Sequence, residues 1–184
     1  MTEYYHLQAD DDISLVVDHE VLETPGKYID GEVYVDYETV HDRFNDRFYW
    51  DANENVLLYT LPDNLVTVAA GSNTYQVGKE NQSADYTIVR NDSNTMYLAL
   101  DFVEQYTNIT HEVYEDPNRT VINTVWGDVD TAPAKKATQL RLKGGIKSPI
   151  VKDLEKGETL TILDAGDSWT KAMTEDGVIG YLKN

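Results

Sequence analysis

Residues 137–184 read ATQLRLKGGIKSPIVKDLEKGETLTILDAGDSWTKAMTEDGVIGYLKN, and their punctuation decides the fold. Leu140 and Leu142 alternate with polar neighbours before Gly144-Gly145 and Ser148-Pro149 break the chain. Ile150 to Leu154 forms a second apolar run, turned by Glu155-Lys156-Gly157-Glu158, and Leu160 and Ile162 anchor a third. Ala165-Gly166-Asp167 leads into Trp169, and Glu175-Asp176-Gly177 is a hairpin turn into Val178–Leu182. Period-two alternation bounded by Gly, Asp and Pro predicts strands joined by tight turns. About five strands in so short a chain predict a small all-β barrel, because an open sheet of that size exposes sticky edges.

Charge sets this segment apart from the rest. Residues 132–184 hold nine Lys/Arg and seven Asp/Glu, a net of +2, whereas 1–131 hold six basic and twenty-six acidic residues, a net of −20. Asp130-Thr131-Ala132-Pro133-Ala134 has linker composition, so two domains are expected, 1–131 and 132–184. A field this negative argues against nucleic acid and against an anionic membrane surface as partners of the first part. There is no Cys, which removes disulfides and thiolate metal sites. No apolar run approaches the ~20 residues of a membrane span, and Met1-Thr2-Glu3 does not open a signal peptide.

Within 1–131 a diverged repeat is visible. Val33–Val40, Arg47–Asp51 and Val56–Thr60 are echoed by Met96–Val103, Glu112–Asp116 and Val121–Thr124. Each copy reads as strand, short helix, then hairpin. Tyr37, Val40 and Phe44 share one helical face, as do Leu100 and Val103. Asp51–Asn55 and Asp116–Arg119 supply the hairpin turns. The predicted class is therefore mixed: an α+β module with a strand-helix-hairpin pseudo-repeat, followed by the small all-β barrel.

Two resemblances follow from these residues. The C-terminal pattern of "A-T-x-L-R-L", "L-x-K-G-x-x-L-T-I-L", "W-x-K-A" and "D-G-x-x-G-Y-L" resembles a bacterial SH3-like domain, with Arg141–Ser148 departing from the usual loop sequence. Asp30-Gly31-Glu32-Val33-Tyr34-Val35, Thr39-Val40 and Tyr49-Trp50-Asp51 resemble the domain named after the N-terminal region of copper amine oxidases. Asp36 stands where that family often has Pro, and Phe44-Asn45-Asp46 replaces its usual Leu-Gly. This order of modules resembles the region preceding a family-18, chitinase-like glycoside hydrolase domain in secreted or surface-attached bacterial proteins. The resemblance implies a non-catalytic accessory region at the cell surface or outside the cell, with a catalytic domain of the same polypeptide as partner. It implies contact with peptidoglycan or another glycan through Lys143, Lys147, Trp169 and Tyr181. The other reading is a structural spacer or brace with no ligand.

Chemistry-bearing motifs are sparse. His6, His19, His41 and His111 form no HExxH, His-x-His or i,i+4 pair, and with no Cys a copper site has little support. No cofactor is expected. G-x-S-x-G is missing, and paired carboxylates drawn from 33 acids discriminate nothing. The acidic clusters Asp10-Asp11-Asp12 and Asp128/Asp130 lack the spacing of a calcium loop. The thirteen Tyr and three Trp are the remaining hint, since flat amphipathic rings suit sugars and peptides as well as cores.

Overall fold

The computed structural model describes residues 3–124 and 130–184, and its elements are mostly strands. In chain order they are β1 (Asp12–Val17), β2 (Glu20–Val21), β3 (Gly26–Ile29), β4 (Glu32–Asp36) and helix α1 (Tyr37–Thr39), which runs on into a π-type turn (Val40–Phe44). Then come β5 (Phe48–Asp51), β6 (Val56–Thr60), β7 (Leu65–Ala69), β8 (Thr74–Val77), β9 (Glu80–Ser83), β10 (Val89–Asp92), β11 (Thr95–Ala99) and helix α2 (Leu100–Tyr106). β12 (Thr110–Tyr114), β13 (Arg119–Asn123), β14 (Thr131–Pro133), β15 (Thr138–Arg141), β16 (Ile150–Leu154), β17 (Thr159–Ala165), β18 (Trp169–Thr174) and β19 (Ile179–Lys183) complete the chain. The strand-helix-hairpin pattern is present twice, as β4-α1-β5-β6 and β11-α2-β12-β13.

Two compact units emerge, and they do not follow chain order. One comprises His6–Ser14 and Thr24–Thr110; the other comprises Met1–Tyr5, Leu15–Glu23 and His111–Asn184. The first unit holds the antiparallel order β10-β11-β4-β3-β1 and the five-stranded meander β5-β6-β7-β8-β9. Asp30-Gly31 makes the β3–β4 turn with both φ positive, +53° and +81°, the conformation a tight type I′ hairpin demands. Ser93-Asn94 does the same between β10 and β11 at +51° and +67°.

Aromatic rings fill the space between the meander and α2. Phe48 lies 4.6 Å from Tyr59 and 6.4 Å from Phe102, Tyr106 lies 4.8 Å from Tyr59, and Tyr75 meets Phe102 edge-on at 5.2 Å. Asn45 closes this core. Its amide donates to Tyr59 Oη (3.1 Å), Tyr106 O (3.2 Å) and Thr107 Oγ1 (2.9 Å), binding the end of the first helical segment to the end of α2. Asp36, in the place of the family's proline, caps α1 by accepting from Thr39 N–H at 3.0 Å.

In the second unit the strands of 131–184 make a six-stranded sheet in the order β14-β17-β18-β19-β15-β16. It is not closed into the predicted barrel: β14 and β16 are its two edges. Two local features blunt those edges. β14 is only three residues long and ends on Pro133, which has no N–H to offer, and a bulge between Leu140 and Arg141 bends β15 against β16. The stretch with linker composition is itself that edge strand, with Ala132 opposite Leu160 and Ala134 buried in the core with Leu140, Leu154, Leu160, Ala172 and Val178.

The Glu175–Gly177 turn is seated within this unit by Arg119. The guanidinium, 7% exposed, donates from Nε to Asp176 O (2.7 Å), from Nη2 to Asp176 Oδ2 (2.8 Å), and from Nη1 to Glu115 O and Pro117 O. Asp176 also accepts from Lys152 Nζ at 2.9 Å and from the Thr174 hydroxyl. Burial alone would raise the Asp176 pKa; Thr174, Lys152 and the charge of Arg119 outweigh it and hold the carboxyl below its ordinary value. Gly177, at φ +82°, leaves no room for a Cβ, which would stand 2.6 Å from Val121 Cγ2. Tyr5 donates to Gly177 O, and Tyr4 bonds both backbone groups of Ile179.

Two measurements check this seat. Arg119→Ala leaves Asp176 with part of its partners and should cost about 2–4 kcal/mol, lowering Tm by roughly 5–15 °C. Residues 132–184 expressed alone lose Arg119, Tyr4 and Tyr5 and should melt well below the whole chain; a cooperative transition equally high would show the seat to be dispensable.

Candidate functional site

The four residues singled out from sequence lie on β15–β19 and the loop between β15 and β16. Cross-strand partners share a face. Trp169 stands opposite Lys183, Lys171 opposite Tyr181, and Tyr181 opposite Arg141, so these five side chains belong to one face of the sheet. The alternate positions Ala172 and Leu182 belong to the core. At the other end of the same face Met173 and Ile179 are buried, where Tyr4 reaches the Ile179 backbone. At the end with Trp169 and Tyr181 the side chains are only half-buried.

The loop that follows β15 is tied rather than loose. Arg141 donates from Nη1 to Ser148 O (2.8 Å) and from Nη2 to Gln139 Oε1 (2.9 Å), while Ser148 Oγ accepts from Lys143 N–H (2.8 Å). Gly144 rests on Trp169, so close that a Cβ would lie 3.2 Å from the indole Cγ. Held this way, the loop turns Leu142 (40%), Ile146 (69%) and, at its exit, Ile150 (47%) toward solvent, with Lys143 and Lys147 beside them. Three of the five most exposed large apolar side chains among the described residues fall in these nine positions. The three are concentrated in one loop rather than scattered singly over the surface. The sequence pointed to the lysines and aromatics of this face; the aliphatic side chains between them carried no signal of their own.

Elsewhere the tyrosines are mostly structural. Tyr5, Tyr34 and Tyr59 are buried, and Tyr49 and Trp50 fall on opposite faces of β5 as their adjacency requires, Tyr49 being the exposed one. The Asp10-Asp11-Asp12 cluster is bound up internally. Lys27 Nζ donates to Asp11 Oδ1 (3.0 Å) and Asp12 Oδ1 (2.8 Å), and Asp12 Oδ2 accepts from the N–H groups of Gln8 and Ala9. Desolvation opposes the charge of Asp12, but Lys27 and the two backbone donors keep its pKa low. Asp128, of the second acidic cluster, lies outside the described residues.

One carboxyl pair stands out that the sequence did not mark. Burial and a hydrogen bond to Asp101, with that group's charge, push Glu32 up to about 7. Burial first, then the charges of Asp101 and Glu32, push the nearby Tyr86 up to about 12. Burial, the hydrogen bond and the neighbouring charge all favour the protonated form of Glu32.

These features define a mostly-β fold whose loop of 142–150 is tethered by Arg141 and Ser148 and exposes three aliphatic side chains. The copper amine oxidase N-terminal domain family model matches residues 16–123, more than half the chain, and the chain belongs to that family. Domains of this family are non-catalytic accessory modules. Searches of curated proteins and of solved structures found no match.

The Glu32–Asp101 pair gives a pH prediction. Because the folded pKa of Glu32 is raised, its contribution to stability is fully present below the unfolded pKa near 4.5 and is lost as pH rises through about 7. Glu32→Gln should therefore flatten the decline in urea midpoint between pH 5 and pH 8. Parallel profiles for the two proteins would refute the raised pKa of Glu32.

Proposed function

We propose that this chain is an accessory, targeting region of a secreted or surface-attached cell-wall or glycan hydrolase. In this reading 1–131 is the copper-amine-oxidase-N-terminal-like module, 132–184 is related to bacterial SH3-like domains, and a family-18 glycoside hydrolase domain of the same polypeptide does the chemistry. The observation that carries it is the tethered loop of 142–150, which offers Leu142, Ile146 and Ile150 between Lys143 and Lys147 and is seated on Trp169. Aliphatic and aromatic surface with a cationic rim suits peptidoglycan, whose sugars and peptides present apolar faces alongside carboxylates. The region would hold the catalytic domain near its polymer and raise its local concentration there.

A structural brace is the second reading, and the Arg119–Asp176 seat favours it: a segment meant only to carry a ligand does not need so many bonds to its neighbours. In that case a hydrolase lacking 1–184 would lose activity while adsorbing to its substrate normally.

Retention of the chain on purified peptidoglycan tests the targeting reading. Wild type should be retained, and Lys143→Glu with Lys147→Glu should release it by roughly tenfold or more, most clearly at low salt. A wild-type chain that flows through would remove the binding half of the proposal.

A further inference from the structure

A second surface, on the copper-amine-oxidase-like module, is built as a pocket. Cross-strand partners Arg90–Tyr97, Tyr97–Asp36 and Lys27–Tyr34 place these side chains on one face of β10-β11-β4-β3. That face bounds an open pocket of about 370 Å³ lined by Arg90, Tyr97, Tyr34, Lys27, Asn91 and Asp92, among others. Its size is at the lower end for small-molecule sites.

The pocket is pre-organised but not self-satisfied. Tyr34 is fully buried and its hydroxyl donates to Thr87 O at 2.8 Å, which fixes its ring. The Arg90 guanidinium carbon lies 5.1 Å over that ring, a cation–π arrangement that holds the arginine in place. Yet Arg90 Nε is buried without a hydrogen-bond partner. Arg90 Nη2 stands 3.7 Å from Asp30 Oδ2, whose side chain is 88% exposed, a pairing too long and too solvated to occupy the guanidinium tip. Nε itself is sealed from solvent; the guanidinium tip, with its one long contact to Asp30, is the part of Arg90 open to an acceptor.

Charge decides what kind of acceptor. Lys27 is already committed to Asp11 and Asp12. The ionic groups in and around the pocket are two cations, Lys27 and Arg90, against the carboxylates of Asp11, Asp12, Asp30, Asp36 and Asp92. An anion entering this field is repelled; an uncharged hydroxyl is not. Hydroxyls can also accept from Arg90 while donating to Asp92 or Asn91, and a sugar ring presents an apolar edge to Tyr97.

We propose that this pocket binds one uncharged sugar residue, with a ring hydroxyl accepting from the Nη end of the Arg90 guanidinium. The proposal shares the glycan reading of the accessory region but rests on different residues from the loop of 142–150, so the two can fail separately. The test titrates the full chain with glucose, N-acetylglucosamine and glucuronate, following amide, Arg Nε–H and Tyr resonances by NMR. The neutral sugars should shift the Arg90, Asn91 and Tyr97 signals with an affinity on the order of millimolar. Glucuronate should bind roughly tenfold more weakly or worse, and Arg90→Lys, which keeps the charge and removes the planar fork of Nη donors, should weaken the neutral sugars roughly tenfold without altering peptidoglycan retention. Glucuronate binding as well as glucose, unchanged titrations in Arg90→Lys, or no shifts with any sugar would each overturn it.

Discussion

The second compact unit turns on one buried guanidinium. Arg119 reaches the turn residue Asp176 by two hydrogen bonds and the loop carbonyls of Glu115 and Pro117 by two more. It also lies 5.7 Å from the ring of Tyr5 and 5.5 Å from that of Tyr114. Burying a charge this far is expensive, and the expense is offset only when donors are matched and the counter-charge is fixed in place. Here Asp176 is fixed in turn by Lys152, which also binds Glu158, and by Thr174. The β18–β19 hairpin is thereby held at its turn, where Met173 and Ile179 are buried, while the end that carries Trp169 and Lys183 packs against the loop at Gly144. Anchoring one end of the hairpin gives the other end a defined face.

Turn chemistry was the most legible part of the sequence. Asp176-Gly177 announced its hairpin because glycine takes the positive φ without strain, and Asp30-Gly31, noted only for its family resemblance, makes a turn of the same chemistry. Ser93-Asn94 makes the same kind of turn with no glycine and went unmarked. The barrel expectation treated edge strands as something only closure could manage. This sheet instead ends on a three-residue strand with Pro133 and on a bulged pairing, which also discourage further strand addition. Pro133 misled in a second way, since proline in a linker and proline on a sheet edge look alike in one dimension.

The two departures from the family pattern are legible only in three dimensions. Asp36 replaces a residue that pre-sets the helix start by one that caps it, a different solution to the same unpaired N–H groups. Asn45 stands where a glycine would end the helix cheaply, and uses its side chain to bond Tyr59, Tyr106 and Thr107 across the pseudo-repeat. Local spacing shows that each helix exists; it does not show that one residue ties the two ends together.

Sites divide along the same line. Lys143, Lys147 and Trp169 could be picked out because they fall near one another in sequence or on a recognisable strand. The Arg90 pocket could not, since Lys27, Tyr34, Arg90 and Tyr97 come from four strands. No spacing rule joins them; the cross-strand register does. What distinguishes Arg90 from the other basic side chains is its unmet Nε above a buried ring, a property of the packed state alone. The two surfaces also carry opposite electrostatic characters. Lys143, Lys147, Lys171 and Lys183 belong to the segment with net charge +2, and the pocket lies within residues totalling −20. A polymer bearing both carboxylates and neutral rings would meet attraction at the first and find only its uncharged units admitted at the second. Charge segregation along the chain therefore sets the loop of 142–150 and the Arg90 pocket in fields of opposite sign.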